Sequence, residues 1–186
     1  MKPYENYPDS IIWNGVKYKL NLSYKAVLLV LDMFEDEQLS AQDKCIIALD
    51  ILIKGEHPKD FNLLNGIFDL IRSDEPPTNE PKVIDINKDF DFIISSFRQA
   101  YGIDIVRSDL HYLEFISLLN GLPDGTKMVE IVKIRTMEVP PIDKYNQKQV
   151  QKLLELKAKY SLQDKANFND GLAKLFNRLK GQVKHG

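Results

Sequence analysis

The side chains that could do chemistry in this chain are few. Its histidines are His57, His111 and His185, and Cys45 is the single cysteine. His111 and Glu114 stand three residues apart, the spacing that places two ligands on one helix face of a di-metal bundle. A metal centre needs three or four ligands, and no second pair of this kind accompanies the first. Gly121-Leu122-Pro123-Asp124-Gly125-Thr126-Lys127 resembles a phosphate loop. A true one has the order G-x-x-x-x-G-K-[ST] behind a strand, so that backbone N–H groups cradle the phosphate. Here the spacing is short, Thr and Lys are reversed, and a helix is expected before it. The segment reads better as a Pro-Asp-Gly turn. A catalytic cysteine needs an activating histidine or an electropositive setting. Cys45 sits instead among Ile46, Ile47 and Leu49, as an inert core thiol would. Asp85, Asp89, Asp91 and Asp104 lack paired spacing and read as caps and solvated charge. The expectation is a non-catalytic protein without metal or cofactor.

The elements around these residues are legible in turn and cap signals. Ile11-Ile12-Trp13 and Val16–Leu20 flank Asn14-Gly15, the preferred residues of a type I′ turn, which predicts a β-hairpin over 10–21. Ser23 is expected to cap a helix to Phe34, with Val27, Leu28, Leu31 and Phe34 on its apolar face. Ser40-Ala41-Gln42-Asp43 has the form of a capping box and opens a helix to about Lys54, stopped by Gly55. A third helix over 59–72 carries Phe61, Leu64, Phe68 and Ile71 in phase. Residues 74–81 hold three prolines and no large apolar side chain, which marks a linker or loop over 73–88. Beyond it Phe90, Ile93, Ile94, Phe97 and Tyr101 share one helical face that Gly102 terminates. Ser108 is expected to cap the next helix, with Leu110, Leu113, Phe115, Leu118 and Leu119. Thr126 is expected to cap another, with Met128, Ile131, Val132 and Ile134. Pro140-Pro141 breaks that helix. A further helix is expected over 146–160 and a last one over 164–181. The fold class is therefore mainly α, a multi-helix bundle with a short N-terminal β-hairpin. Its expected parts are 1–72, hairpin plus helices; 73–88, the acidic, proline-rich linker; 89–142, a helical core; and 143–186, basic C-terminal helices.

Composition narrows the function classes. Hydrophobic residues form 44% of the 186, enough to build a core. The lone cysteine fits a reducing cytoplasm. The first residues, Met1–Asn6, lack the apolar stretch of a signal peptide. The longest apolar runs, such as Ala26–Leu31, fall far short of the roughly 20 residues that span a bilayer. Neither a membrane nor a secreted location is expected. The net charge of −2 hides an asymmetry. From Asp143 onward there are ten Lys/Arg against four Asp/Glu, so the preceding body is acidic. A helix-turn-helix needs basic and amide side chains on its recognition helix. The expected helix at 108–120 has no Lys or Arg, and the next pairs Lys133 and Arg135 with Glu130. Nucleic acid is not expected as a partner.

One run of residues resembles a known family. It comprises Asp91-Phe92-Ile93-Ile94, Phe97-Arg98-Gln99-Ala100-Tyr101-Gly102-Ile103-Asp104, His111-Tyr112-Leu113-Glu114-Phe115, Leu118-Leu119-Asn120-Gly121-Leu122-Pro123 and Ile131-Val132-Lys133-Ile134-Arg135-Thr136, followed by a Lys-rich helix ending Lys157-Ala158-Lys159-Tyr160-Ser161-Leu162. This wording is similar to the phage gene-product-fifteen family of siphophages and prophages, encoded just upstream of the tape measure protein. The resemblance implies a tail assembly chaperone. Such a protein coats the long apolar helical tape measure protein until tail tube subunits replace it, and it is absent from the mature virion. It implies action in the cytoplasm of the bacterial host, with the tape measure protein as partner, the tail tube protein as a second candidate and homo-oligomerisation left open. The basic balance after Asp143 directs the expected contact to a C-terminal stripe of Phe168, Leu172, Leu175, Phe176 and Leu179 with Lys174 and Arg178. The alternative for that stripe is closure of the protein's own core. Two other function classes stay open to the sequence: a structural tail or head component retained in the virion, and a small helical DNA-binding regulator.

Overall fold

The computed structural model describes residues 6–72 and 82–162. Among them the chain is mainly α, with seven helices and one two-stranded antiparallel sheet near the N-terminus. The strands are β1 (Ser10–Trp13) and β2 (Val16–Lys19). The helices are α1 (Tyr24–Phe34), α2 (Ala41–Leu52), α3 (Phe61–Ile71), α4 (Phe90–Tyr101), α5 (Tyr112–Asn120), α6 (Lys127–Thr136) and α7 (Gln147–Lys159). The contacts divide the chain into two compact units that are not sequential. One is Met1–Thr78 with Asp104–Gly121; the other is Asn79–Ile103 with Leu122–Gly186. Residues 104–121, within the helical segment expected over 89–142, are grouped with the first unit.

In the first unit the hairpin forms where the sequence places it. Asn14 and Gly15 take φ of 50° and 79°, the positive pair that a type I′ turn needs, and Trp13 faces Val16 across it. The hairpin leans on α3 through Gly66, where an added Cβ would come within 3.2 Å of Ile11 Cδ1. Asp60 locks that contact twice. One carboxylate oxygen caps α3 by accepting from the Asn62 N–H at 2.8 Å, and the other accepts from Trp13 Nε1 at 3.2 Å. Ser23 and Ser40 cap α1 and α2 as expected. Leu20 bridges Ile53, which carries the end of α2 back to the hairpin. The core is Leu20, Leu22, Val27, Val30, Cys45, Leu49, Leu52, Leu63, Leu64 and Ile67.

Residues 104–121 join this unit by backbone pairing. The Tyr24 N–H donates to the Leu110 carbonyl at 2.9 Å and the Tyr112 N–H donates to the Leu22 carbonyl at 2.8 Å. The Tyr24 hydroxyl donates to the Ile105 carbonyl at 2.7 Å, and its ring stacks on Phe115 with centroids 4.5 Å apart. The cap of α5 differs from expectation. Ser108 is spent on the Asp104 carbonyl, and His111 is the capping residue. Its Nδ1 accepts from the Leu113 N–H at 3.1 Å. Its Nε2 lies 3.0 Å from the Pro8 carbonyl, which only accepts, so Nε2 carries the proton of a neutral imidazole. The Tyr7 ring stacks on it at 4.9 Å.

The second unit is organised around one buried ion pair. Asp89 is 1% exposed and precedes α4. Arg135, near the end of α6, grips it with two parallel bonds of 2.7 Å. The same guanidinium donates to the Val83 carbonyl at 2.9 Å and to the Tyr160 carbonyl at 2.6 Å. Lys157 donates back to the Arg135 carbonyl at 2.7 Å. One side chain therefore joins the approach to α4, α6 and the end of α7. A second cross-link serves the start of α6. Thr126 stands at its N-cap, yet its hydroxyl donates to the Pro123 carbonyl. The buried Ser96 hydroxyl of α4 accepts the Met128 N–H instead, at 2.9 Å. Ile93, Phe97, Met128, Ile131, Val150 and Leu154 supply the apolar core between these helices. Gly102 ends α4 at φ 69°, as its position implies.

Two measurements test these contacts. Arg135→Ala strands a buried carboxylate and is expected to cost about 3–5 kcal/mol in urea unfolding followed by circular dichroism. Asp89→Leu combined with Arg135→Met leaves no charge unpaired and is expected to be less destabilised than Arg135→Ala alone. His111 gives a pH signature. Burial is the largest influence on it and lowers its pKa below the ordinary value, against the opposing pull of the Pro8 carbonyl and Glu114. The unfolded chain takes up this proton near pH ~6.5. The stability that neutral His111 provides is therefore complete above that pH and lost as pH falls below it. Melting temperature should drop between about pH 6.5 and 5, and His111→Asn, which keeps an acceptor for the cap, should remove that part of the slope.

Candidate functional site

The described residues first considered for chemistry make structural contacts, and His185 lies outside the described residues. Cys45 is 2% exposed, and burial first, then the Asp60 carboxylate, push its thiol above its ordinary pKa. A thiol so placed is a poor nucleophile at neutral pH. Both nitrogens of His111 are engaged, Nδ1 in the cap of α5 and Nε2 with the Pro8 carbonyl, which removes it from the His111–Glu114 pair. His57 Nε2 lies 3.0 Å from Asp50 Oδ1. The Gly121–Lys127 segment is a turn. Gly125 has φ 85° and its carbonyl accepts from Gln99 Nε2. Asp124 pairs with Lys133 at 2.8 Å, and Lys127 lies over the Tyr160 ring at 5.2 Å. Among the described residues no cluster of three or more His, Cys, Asp or Glu could hold a metal ion. No described helix is long and apolar enough to cross a membrane. Arg135, a cation considered for phosphate contact, is committed to Asp89.

The feature that remains is an apolar groove on the first unit. It is lined by Val27, Leu31 and Phe34 of α1, Phe68 and Ile71 of α3, Arg72 just beyond α3, and Tyr112 at the start of α5, and it encloses about 420 Å³. Its floor is closed: Val27 is fully buried and Ile71 is 7% exposed. Its lip is open, with Leu31 40% and Phe34 36% exposed. The Phe34 and Phe68 rings meet edge to face at 5.8 Å, which fixes their positions. Arg72 is held by Asp69 at 3.4 Å on the exposed end of α3.

This groove corrects the reading of α1. Val27, Leu28, Leu31 and Phe34 share a helical stripe and were expected to form one apolar face. The buried face is instead Tyr24, Ala26, Val27 and Val30. On α3 the core is Leu63, Leu64, Ile67 and Ile71, while Phe61 is 50% exposed and Phe68 turns to the groove. Sequence contains a signal for this, since both helices carry apolar residues around more of their circumference than one neighbour covers. Periodicity alone does not say which part is covered. The stripe expected to meet a partner, Phe168, Leu172, Lys174, Leu175, Phe176, Arg178 and Leu179, lies outside the described residues.

Comparison with known proteins gives one match. Neither the curated proteins nor the solved structures contain a similar chain. The family model described as Bacteriophage Gp15 protein matches residues 5–162, which takes in both described segments in full, with the hairpin, the seven described helices and the groove. The chain belongs to the bacteriophage Gp15 protein family.

Proposed function

We propose that this phage protein is a non-catalytic tail assembly chaperone, acting in the cytoplasm of the bacterial host on the tape measure protein. The observation that carries the reading is the α1–α3 groove, an apolar surface with a closed floor and an open lip. The family match supports a phage role, and the resemblance supplies the tape measure protein as partner.

The physical requirement is specific. A long helical protein with exposed apolar stripes aggregates unless those stripes are covered. A groove that takes i, i+3, i+4 and i+7 anchors from a helix covers them. The cover must also come off when tail tube subunits arrive. Full burial of an apolar side chain contributes roughly 1.5–3 kcal/mol. Leu31 and Phe34 are already more than half covered, so completing their burial adds about 1–2 kcal/mol between them. Association itself costs at least that much. One groove therefore binds weakly and releases readily, and tight coating comes from many copies along one tape measure chain.

The test is co-expression with the tape measure protein of the same phage. The chaperone should raise the soluble fraction of that protein, co-purify with it, and be missing from purified virions by mass spectrometry. Its presence in virions at a stoichiometry like that of the tail proteins would instead make it a retained structural component.

A further inference from the structure

The groove's surroundings say what kind of helix it takes. Residues 6–72 and 104–121, the described part of the first unit, hold eight Lys/Arg against thirteen Asp/Glu. The excess is concentrated at one lip. Directly after Phe34 come Glu35, Asp36 and Glu37, all exposed, with the exposed Asp32 one turn before them. Helix α1 ends at the same point with no basic residue in its last turn. Two cations stand beside the groove, each with a partner in the same unit. Lys44 Nζ donates to the Phe34 carbonyl at 2.7 Å, and Arg72 pairs with Asp69. From Val27 to Phe34 the α1 wall is two helical turns, roughly 10 Å long. That length accepts one i, i+3, i+4, i+7 set of anchors from a helix lying beside it.

Resting on the chaperone reading, we infer that the α1–α3 groove takes an amphipathic helix whose apolar stripe is flanked by Lys or Arg on the side that meets Glu35, Asp36 and Glu37. The apolar stripe supplies affinity and the basic flank supplies choice among helices. A tape measure protein offers many apolar stripes, and this rule selects those with basic borders. An acidic border meets like charge at the lip and is refused.

The experiment uses the full chain and fluorescein-labelled synthetic peptides of one Leu/Phe stripe, flanked by Lys in one and by Glu in the other. The Lys-flanked peptide should bind about tenfold or more tighter at low salt, with the gap narrowing as salt screens the lip. Leu31→Glu should abolish binding while leaving the circular dichroism spectrum unchanged. Should that variant misfold, replacement of Glu35, Asp36 and Glu37 by Lys, all at exposed positions, should invert the preference. Equal binding of both peptides, or binding indifferent to Leu31→Glu in a folded chain, overturns the inference. A tape measure fragment retained by the chain while neither peptide binds removes the groove and leaves the chaperone reading standing. Peptide binding that obeys the charge rule with no fragment retained does the reverse.

Discussion

Helix α1 carries more apolar surface than its own unit covers. Residues Ala26–Leu31 are an unbroken apolar run, followed by Met33 and Phe34. A helix with such a run exposes apolar residues on every side, and only burial from all directions would satisfy it. Here α2 and α5 take the side of Tyr24, Ala26, Val27 and Val30. Leu29 is left 56% exposed on one side, and Leu31 and Phe34 form the groove lip on another. The groove follows from that shortfall.

The rest of the first unit keeps the shortfall in a fixed shape. Asp60 ties the hairpin to α3, and Gly66 lets β1 approach it closely. His111 and the backbone pairing of Leu22 and Tyr24 with Leu110 and Tyr112 bring Tyr112 to the groove wall. A surface held this way is pre-organised, so little ordering entropy is lost when a helix docks. The second unit has a different organising contact, the Arg135 fork on Asp89, and its described residues hold eleven Lys/Arg against eight Asp/Glu. The charge asymmetry of the chain thus follows its division into units.

Local signals were read well from sequence because they are local. Asn14-Gly15, the Ser23 and Ser40 caps and Gly102 each depend on residues within one turn. Contacts between distant residues were not legible. Ser96 supplies the cap of α6 from 32 residues away, and Asp89 meets Arg135 across 46. Ser108 was expected as the cap because Ser is a common capping residue, while the proximity of Pro8 that suits His111 to the role is a tertiary fact. The grouping of 104–121 with the N-terminal helices is of the same kind, since nothing within that stretch announces its pairing with Leu22 and Tyr24. The family wording over 91–136 was legible and is matched by the family model. The groove was half legible: Val27, Leu31 and Phe34 were seen as one stripe and Phe68 and Ile71 as part of another, but not the open space that the two stripes border.

The central claim is that the open lip of α1 is where the tape measure protein lies during tail assembly. A photo-crosslinking amino acid at position 31, introduced in cells producing phage, tests it most directly. The control is the same group at position 29, which is exposed on another side of the same helix. The account predicts a crosslink to the tape measure protein from position 31 and little or none from position 29. Crosslinks from position 29 alone, or none from 31 while the two proteins still co-purify, would contradict it.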